Sequence, residues 1–479
     1  MRQLFIIIGL WFFQFGKAQS IAERIDSLLD VYNSYNKLNG VVLVAQKGAI
    51  IYQKAFGWAN LEWQTPHTTD SKFKIASLGK QFTALLILQL QEEGKLNLED
   101  RLTKYIPEFP AKTGEEITIH QLLTHTSGIP NYHIVPEFDK LIAPCVHTEG
   151  EYLDLFKDKP LLFKPGARHY YSNFNYFLLA VIAERISNMR FQDLISKKIF
   201  IPSGMNASTT EDNYSIIEHL SSGYEDEFTG MRPARYEHPS NKLGTGNIIT
   251  TAGDLLKFGN ALRNNILISK EGYKKIFTDH GGYGYGWYLT PYLLKNGDTI
   301  HLAYHDGGTY GFNSMMYHFI EINECIIALS NYSPSYLSPI TRSIGRILSE
   351  RPFPLPKKSM ARAFAEQIQQ FGLDSATKEF LSLKSNIGYE MDGLEFNRLG
   401  YSFLRNGKYN EALEVFKINV NEFPKVADVY DSLAEAYFYL NQDKLALDNY
   451  NKSLAIDPDN SNAKVMIQKI KKRSSILNN

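Results

Sequence analysis

Apolar and polar positions follow the period of β-strands at both ends of the first 350 residues and the period of helices between them. The spacing at 21–38 predicts an amphipathic helix, and β-rich runs at 40–46 and 49–57 predict a hairpin around Lys47 and Gly48. Three more β-rich runs are expected at 284–289, 299–305 and 315–329. Strands at both ends with helices between them predict an α+β domain whose sheet is completed by strands from both ends of the domain.

A further run at 77–93 predicts a helix that is apolar nearly all round and ends at Gly94. A helix of this kind is normally buried in the centre of a sizeable domain. Shorter helices are expected at 119–123, 175–186 and 252–262.

A proline-rich break from Arg351 to Lys358 separates this domain from a helical region with an internal repeat. The positions that recur in similar form 34 residues later are Phe396, Leu399, Gly400, Phe403, Ala412, Phe416 and Pro424. This period, with small residues where helices cross and a proline at the end, resembles two tetratricopeptide repeats. Two amphipathic hairpins that are alike by chance are the alternative. Helical stretches at 360–383 and 463–473 are expected to cap the stack.

The first eighteen residues have the layout of a secretory signal peptide. Arg2 precedes an apolar run at 4–15, and small residues end at Ala18, where cleavage is expected. A membrane anchor is the alternative, but about twelve apolar residues are too few to span a bilayer. We therefore expect an exported protein, periplasmic or extracellular, with no stable membrane anchor after cleavage.

Composition narrows the classes of function. The formal net charge is +0, so no basic field favours nucleic acid as a partner. Cys145 and Cys325 are too few for a disulfide framework, and the apolar run around Cys325 predicts a buried thiol. Whether the two cysteines pair is left open. With so few thiols and no clustered histidines, we expect no metal site and no cofactor.

The candidate nucleophile is Ser77, three residues before Lys80 at the start of the apolar helix. At this spacing the two side chains share one helix face. Burial and the helix dipole both disfavour a charged ammonium, so Lys80 is a candidate neutral base for the serine hydroxyl. The same S-x-x-K spacing at Ser34, Ser71 and Ser375 shows that the pattern alone is weak, and an ordinary helix cap is its alternative. Ser77 differs because it opens a fully apolar helix.

Two more polar groups complete the set of candidates. Tyr171 and Asn173 stand at the mouth of a predicted helix, where a tyrosine relays protons and an asparagine bonds the lysine and a substrate amide. His305 is followed by Gly307 and Gly308 at the end of a strand, where the N–H of Gly308 pairs with that of Ser77 to bind an oxyanion. A packed tyrosine and a strand histidine are the alternatives.

The order S-x-x-K, Y-x-N and H-x-G resembles the serine β-lactamase and penicillin-binding-protein family, in its class C, D-aminopeptidase and esterase branch. Flanking segments around His125, Gly166, Thr245 and Gly286 also match, and the likeness covers about 21–348. The resemblance implies an antiparallel sheet flanked by helices beside a helical lobe. It also implies that Ser77 is acylated, that Lys80 is its base and that Tyr171 shuttles protons. The expected domains are a signal peptide at 1–18, a hydrolase domain at 19–350, a proline-rich linker and helix at 351–392, and two tetratricopeptide repeats with a capping helix at 393–479.

Two departures affect the expected substrate. His305 replaces the lysine that opens the third motif in many relatives, and Asp306 adds a negative charge where a carboxylate would bind. We expect a small-molecule or peptide substrate, an ester, amide or D-amino-acid peptide. The two departures weaken a β-lactamase or carboxypeptidase assignment without excluding it. The alternative function is a weak or inactive scaffold that binds a protein or peptide through the repeats. Since every motif lies upstream of Arg351, we expect the region after it to be dispensable for catalysis.

Overall fold

The computed structural model describes residues 19–228 and 230–477, so the predicted signal peptide lies outside the described residues. The described chain contains a six-stranded antiparallel sheet in which Val42 of the first strand lies opposite Ala328 of the last. Its strands, in spatial order, are Tyr288–Leu293, Thr299–Thr309, Phe312–Phe319, Glu324–Ser330, Gly40–Gln46 and Ala49–Phe56. The two ends of the domain meet in the sheet centre, which confirms the predicted α+β fold.

Two strand predictions are wrong in their bounds. The run 315–329 is two strands, because a turn at 320–323 reverses the chain before Glu324. Apolar residues on both sides of this turn hide it from a reading of periodicity. The strand expected at 284–289 begins at Tyr288, because a bend at Tyr285 and Gly286 precedes it.

The first strand is buried on both faces and divides the core in two. Val41 and Leu43 face the helical lobe. Val42 and Val44 face the opposite layer, which is formed by the helices Ile21–Ser34 and Leu337–Leu348. Alternate side chains of a strand point to opposite faces, so a continuous apolar run fits a central strand covered on both sides.

The helical lobe surrounds the helix Lys80–Glu92, named here the nucleophile helix. Its buried side chains face all directions, and the ring of Phe82 stacks on Phe258 at 4.2 Å between centroids. The predicted α-helix from Ser77 begins three residues later, because a 3-10 turn, Ala76–Gly79, precedes it. The longer helices of the lobe are Asn173–Ser187 and Ala252–Arg263, and the shorter ones are Ala111–Gly114, Ile119–Leu123, Glu149–Asp154, Phe191–Ile195, Ile201–Ser203 and Lys270–Ile276.

The region after the proline-rich break is helical. The helix expected at 360–383 is interrupted at Gly372, whose φ of 82° no α-helix accommodates. Paired helices then begin 34 residues apart, at Gly393 and Ala427. The helices of this region are Met360–Phe371, Leu373–Ser385, Gly393–Arg405, Tyr409–Glu422, Ala427–Tyr439, Asp443–Ile456 and Ser461–Leu477. Their identity as tetratricopeptide repeats stays a prediction.

The C-terminal helices pack against the first domain. Phe228 of that domain is buried in the apolar cluster of the C-terminal region, and Arg362 forms an ion pair with Asp226. The hydroxyl of Ser402 donates to the carbonyl of Glu227 at 3.0 Å. None of the helices in the described ranges combines the length and apolar character that crossing a membrane requires. Cys325 is a buried free thiol, as predicted, and Cys145 is free and exposed.

Candidate active site

Ser77 lies in a tight turn that the surrounding chain holds in place. Ala76 before it has a φ of 47°, a left-handed conformation that is uncommon for a residue with a side chain. The carbonyl of Ile75 accepts a hydrogen bond from the Ser314 hydroxyl at 2.7 Å. The N–H of Ser77, at the start of the turn, has no partner within the turn. The side chain of Ser77 is partly exposed, so a substrate can reach it.

Lys80 is fully buried directly behind Ser77. Its Nζ lies 2.8 Å from Oδ1 of Asn173, 3.0 Å from the carbonyl of Thr245 and 3.0 Å from Oγ of Ser77. The amide oxygen and the carbonyl only accept hydrogen bonds. A neutral amine therefore donates its two protons to Asn173 and Thr245, and its lone pair points at the hydroxyl of Ser77.

The surroundings make this neutral form accessible. Burial lowers the pKa of Lys80 to about 7, although the charge of Asp306 raises it in part. The Nζ atom also lies 5.0 Å from the ring centroid of Tyr171, a contact that favours the charged form. Lys80 is thus balanced between its two protonation states near neutral pH, as a base that also returns its proton must be.

Tyr171 is the second group that contacts the nucleophile. Burial of its hydroxyl raises the pKa well above the ordinary value, and the hydrogen bond with Ser77 lowers it only in part. The ring packs 4.4 Å from that of His125, which is buried and whose pKa burial lowers well below the ordinary value. Tyr171 is therefore a neutral hydroxyl that donates or relays a proton, not a phenolate base.

Asn173 is held by one hydrogen bond through its side chain and another through its backbone. Its side-chain oxygen accepts from Lys80, and its backbone N–H donates to Oδ1 of Asn131 at 3.0 Å. Its predicted contact with the lysine is therefore present, and its side chain lines the cavity described below. Asn131 was missed in the sequence, because a lone asparagine after a proline has no distinguishing signal.

His305 is neutral and fixed in one tautomer. Its Nδ1 lies 2.5 Å from the carbonyl of Asp306, which only accepts, so Nδ1 bears the proton. Nε2 then accepts from the hydroxyl of Tyr283 at 3.2 Å. Burial lowers the pKa of His305 to about 4. The histidine therefore supplies no positive charge for a substrate carboxylate near neutral pH.

Gly307 and Gly308 have different positions on the strand Thr299–Thr309. A Cβ atom on Gly307 would lie 2.2 Å from the carbonyl oxygen of Ile75 and 3.1 Å from the nitrogen of Ser77, so only glycine fits against the nucleophile turn. Gly307 thus packs closely on the turn, and its predicted contact with a substrate stays a prediction. Gly308 lines the cavity beside Ser77, where its N–H and that of Ser77 can bind one oxyanion.

Thr245 is a further candidate site residue, whose contact with Lys80 was missed in the sequence. It acts through its backbone carbonyl, which no side-chain motif reveals. The neighbouring Gly246 explains the close approach, since a Cβ there would lie 2.7 Å from the carbonyl carbon of Ala76. The glycines on either side of Thr245 were the only available signal.

A cavity of about 620 Å³ opens from Ser77 and Gly308. Near the Ser77 end of the cavity, the hydroxyl of Thr309 donates to Glu237 at 2.9 Å. An acidic side chain therefore lies beside the strand Thr299–Thr309. Arg232 and Arg235 also line the cavity, and both pair with Glu225. The remote end of the cavity is lined by Arg398, Tyr401 and Arg405 of the helix Gly393–Arg405. Deletion of the C-terminal region would therefore remove part of the cavity wall.

Known proteins resemble this chain in sequence and in fold. The chain is similar to Penicillin-binding protein 4* of Bacillus subtilis (strain 168), with 31% identity over 71% of this chain and 79% of the relative. It is 28% identical to the teichoic acid D-alanine hydrolase of Staphylococcus aureus (strain MRSA252), over 56% of this chain and 66% of that one. The crystal structure of a penicillin-binding protein from Bacillus halodurans superposes with a TM-score of 0.60 at 27% identity, covering 67% of this chain and 99% of that chain. A family model described as Beta-lactamase matches residues 21–345, more than half of the chain. The chain therefore belongs to the β-lactamase family of serine hydrolases.

Proposed function

We propose that this protein is an exported serine hydrolase that cleaves an ester, an amide or a D-amino-acid peptide through an acyl-enzyme on Ser77. The observation that carries the proposal is the environment of Lys80. Its two acceptors, Asn173 and Thr245, leave the lone pair of a neutral amine for the hydroxyl of Ser77. A protein that only bound partners would gain nothing from a buried lysine in this arrangement.

The first half-reaction forms the acyl-enzyme. Oγ of Ser77 attacks the substrate carbonyl carbon while its proton passes to Nζ of Lys80. The N–H groups of Ser77 and Gly308 stabilise the oxyanion that forms. The leaving group departs with a proton from Tyr171, which Lys80 replaces. The carbon–leaving-group bond breaks as the Ser77 ester forms.

Deacylation runs through the same groups in the reverse direction. A water molecule attacks the ester carbon, and its proton passes through Tyr171 toward Lys80. The proton then returns to Oγ of Ser77 as the acid product leaves. Tyr171 relays protons in both directions because its hydroxyl is protonated at rest, in accord with its raised pKa, and regains a proton each time it gives one up.

The acyl group of the substrate, which would lie next to the strand Thr299–Thr309, is proposed to be neutral or to bear an amine. Glu237 and Asp306 are the acidic groups near Thr309 and Gly308, and His305 is uncharged. Two carboxylates repel a substrate carboxylate and attract an ammonium. The S. aureus relative is named for the hydrolysis of teichoic acid D-alanine, which supports an aminoacyl ester or amide as substrate.

The location and the repeats belong to the same proposal. The apolar layout of 1–18 supports export. Tetratricopeptide repeats are supported by the 34-residue offset of the helix pairs and by Gly400, where a Cβ would lie 2.3 Å from the ring of Phe416. The repeats would offer a surface for a protein or peptide partner.

The direct test is covalent labelling of Ser77. A fluorophosphonate probe reacts with activated serines, so the mature protein should show one adduct by intact mass and hydrolyse p-nitrophenyl acetate. Ser77→Ala should lose the adduct and essentially all turnover with an unchanged melting temperature. Ser375→Ala, which alters another serine of the S-x-x-K pattern, is the matched control. Full turnover in Ser77→Ala would refute the assignment.

A further inference from the structure

The remote end of the catalytic cavity is built by the C-terminal region. Arg398, Tyr401 and Arg405 line this end, and Ser77 and Gly308 line the other. The two regions are joined tightly here, since Ser402 bonds the carbonyl of Glu227. A substrate that fills the cavity therefore touches both parts of the chain.

The arginines of this cavity differ in their partners. Arg232 and Arg235 pair with Glu225, and Arg405 pairs with Glu227. Arg398 forms no ion pair with a carboxylate in the described parts of the chain. Its guanidinium lies over the ring of Phe228, 4.9 Å from the centroid.

A stacked guanidinium keeps its donors available. The ring contact uses the face of the planar group, whereas the N–H bonds lie along its edge. Arg398 is half-buried and lines the cavity, so its charge is only partly screened by water. An anionic group with two oxygens is the natural partner of such an edge.

We propose that Arg398 is a specificity-determining residue that binds an anionic group, a carboxylate or phosphate, on the part of the substrate remote from the scissile bond. This inference rests on the proposed hydrolysis at Ser77. The acidic groups near Gly308, Glu237 among them, exclude the anion from the near end. The cavity thus selects a substrate whose anion lies far from the bond that is cleaved.

The test compares matched charged and neutral esters in the full mature chain. The acyl series is the p-nitrophenyl esters of dicarboxylic acids of increasing length, each against its ω-methyl ester. A second series places the carboxylate on the leaving group, as acetate esters of 4-hydroxyphenylalkanoic acids and their methyl esters. In at least one of the two series, kcat/KM should be higher for the anionic ester than for its methyl ester once the substrate is long enough to span the cavity. Added salt should reduce this preference.

Arg398→Gln should reduce that preference by about tenfold, the usual effect of losing a charged hydrogen bond, because kcat/KM falls more for the anionic esters than for their neutral partners. Arg398→Lys should retain part of the preference for the anionic ester. Arg342→Gln, an exposed arginine outside the cavity, is the control.

A preference that is absent in both series, or that survives Arg398→Gln, would overturn the inference. An equal loss on charged and neutral esters in Arg398→Gln and Arg398→Lys would assign Arg398 a structural role and overturn it too. Absence of Ser77 labelling in the unmodified protein would instead contradict the proposed function.

Discussion

The amine of Lys80 and the hydroxyl of Ser77 lie 3.0 Å apart, and the amine has two other neighbours that can only accept hydrogen bonds. Asn173 and Thr245 therefore fix the orientation of a neutral amine, with its lone pair toward the serine. Burial supplies the neutral form, because it lowers the pKa of Lys80 to about 7. Position and protonation state both suit a general base.

The first prediction concerns the pH dependence of acylation. Only neutral Lys80 accepts the serine proton, so kcat/KM should rise with pH through about 7 and fall as pH drops below it. Lys80→Ala should lower kcat/KM by about 10²–10⁴-fold and abolish this dependence. The measurement is kcat/KM for p-nitrophenyl acetate from pH 5 to 9. Lys378→Ala, on an exposed helix position, is the control, and a normal profile in Lys80→Ala would point to another base.

The second prediction alters the charge near Lys80. The carboxylate of Asp306 raises the pKa of Lys80, so Asp306→Asn should lower that pKa and move the rise in kcat/KM to lower pH. Activity at pH 6, relative to the plateau, should increase roughly twofold to threefold. Asp298→Asn, in an exposed turn at the other end of the sheet edge, should leave the profile in place. A shift to higher pH would mean that Asp306 does not act on Lys80 as a charge.

The third prediction separates labelling from turnover. Tyr171→Phe removes the hydroxyl that relays protons, whereas the Lys80–Ser77 contact remains. Turnover should fall by about 10²–10⁴-fold while a fluorophosphonate still labels Ser77. The check is steady-state kinetics beside the labelling rate, with Tyr170→Phe as the adjacent control. Loss of labelling in Tyr171→Phe would indicate that the tyrosine, not the lysine, activates the serine.

The sequence was sufficient to predict the fold class and to single out candidate side chains that lie together in the structure. A strand buried on both faces, as at Gly40–Gln46, leaves a continuous apolar run, and the helix Lys80–Glu92 is apolar on all sides because it is central. The pair Ser77 and Lys80 is close in sequence, so its contact follows from local geometry. Tyr171 was found only because its motif occurs in the right order relative to the others.

Contacts made by the backbone or between distant segments could not be predicted. The carbonyl of Thr245 has no side-chain signature, and the bond from Asn173 to Asn131 depends on how two loops meet. The approach of Arg398 to the cavity depends on how the C-terminal helices pack against Phe228. Periodicity describes a segment and its buried face, but not which distant segment covers that face.

The fourth prediction concerns substrate charge near the strand. Thr309 donates to Glu237, so its hydroxyl is already paired with a carboxylate at the place where a β-lactam carboxylate would bind. Neutral p-nitrophenyl esters should have a higher kcat/KM than nitrocefin. Glu237→Gln removes one repulsive charge and should raise kcat/KM for nitrocefin by about threefold to tenfold with little change for a neutral ester. Glu271→Gln, a surface variant, is the control, and nitrocefin turnover that exceeds ester turnover in the unmodified protein would contradict the prediction.

The fifth prediction tests whether the C-terminal helices stabilise the cavity wall. Arg362 pairs with Asp226, whose side chain is 2% exposed, so Arg362→Met leaves a buried carboxylate without its cation. The free energy of unfolding should fall by about 3 kcal/mol, whereas exposed Arg342→Met should change it by less than about 0.5 kcal/mol. Adding Asp226→Asn to Arg362→Met removes the unpaired charge and should recover part of the loss. Urea unfolding of the four proteins supplies the comparison. The kcat for p-nitrophenyl acetate should stay within about threefold, because every candidate catalytic residue is upstream of Arg351. Equal stability of Arg362→Met and the unmodified protein would mean that this ion pair does not stabilise the cavity wall.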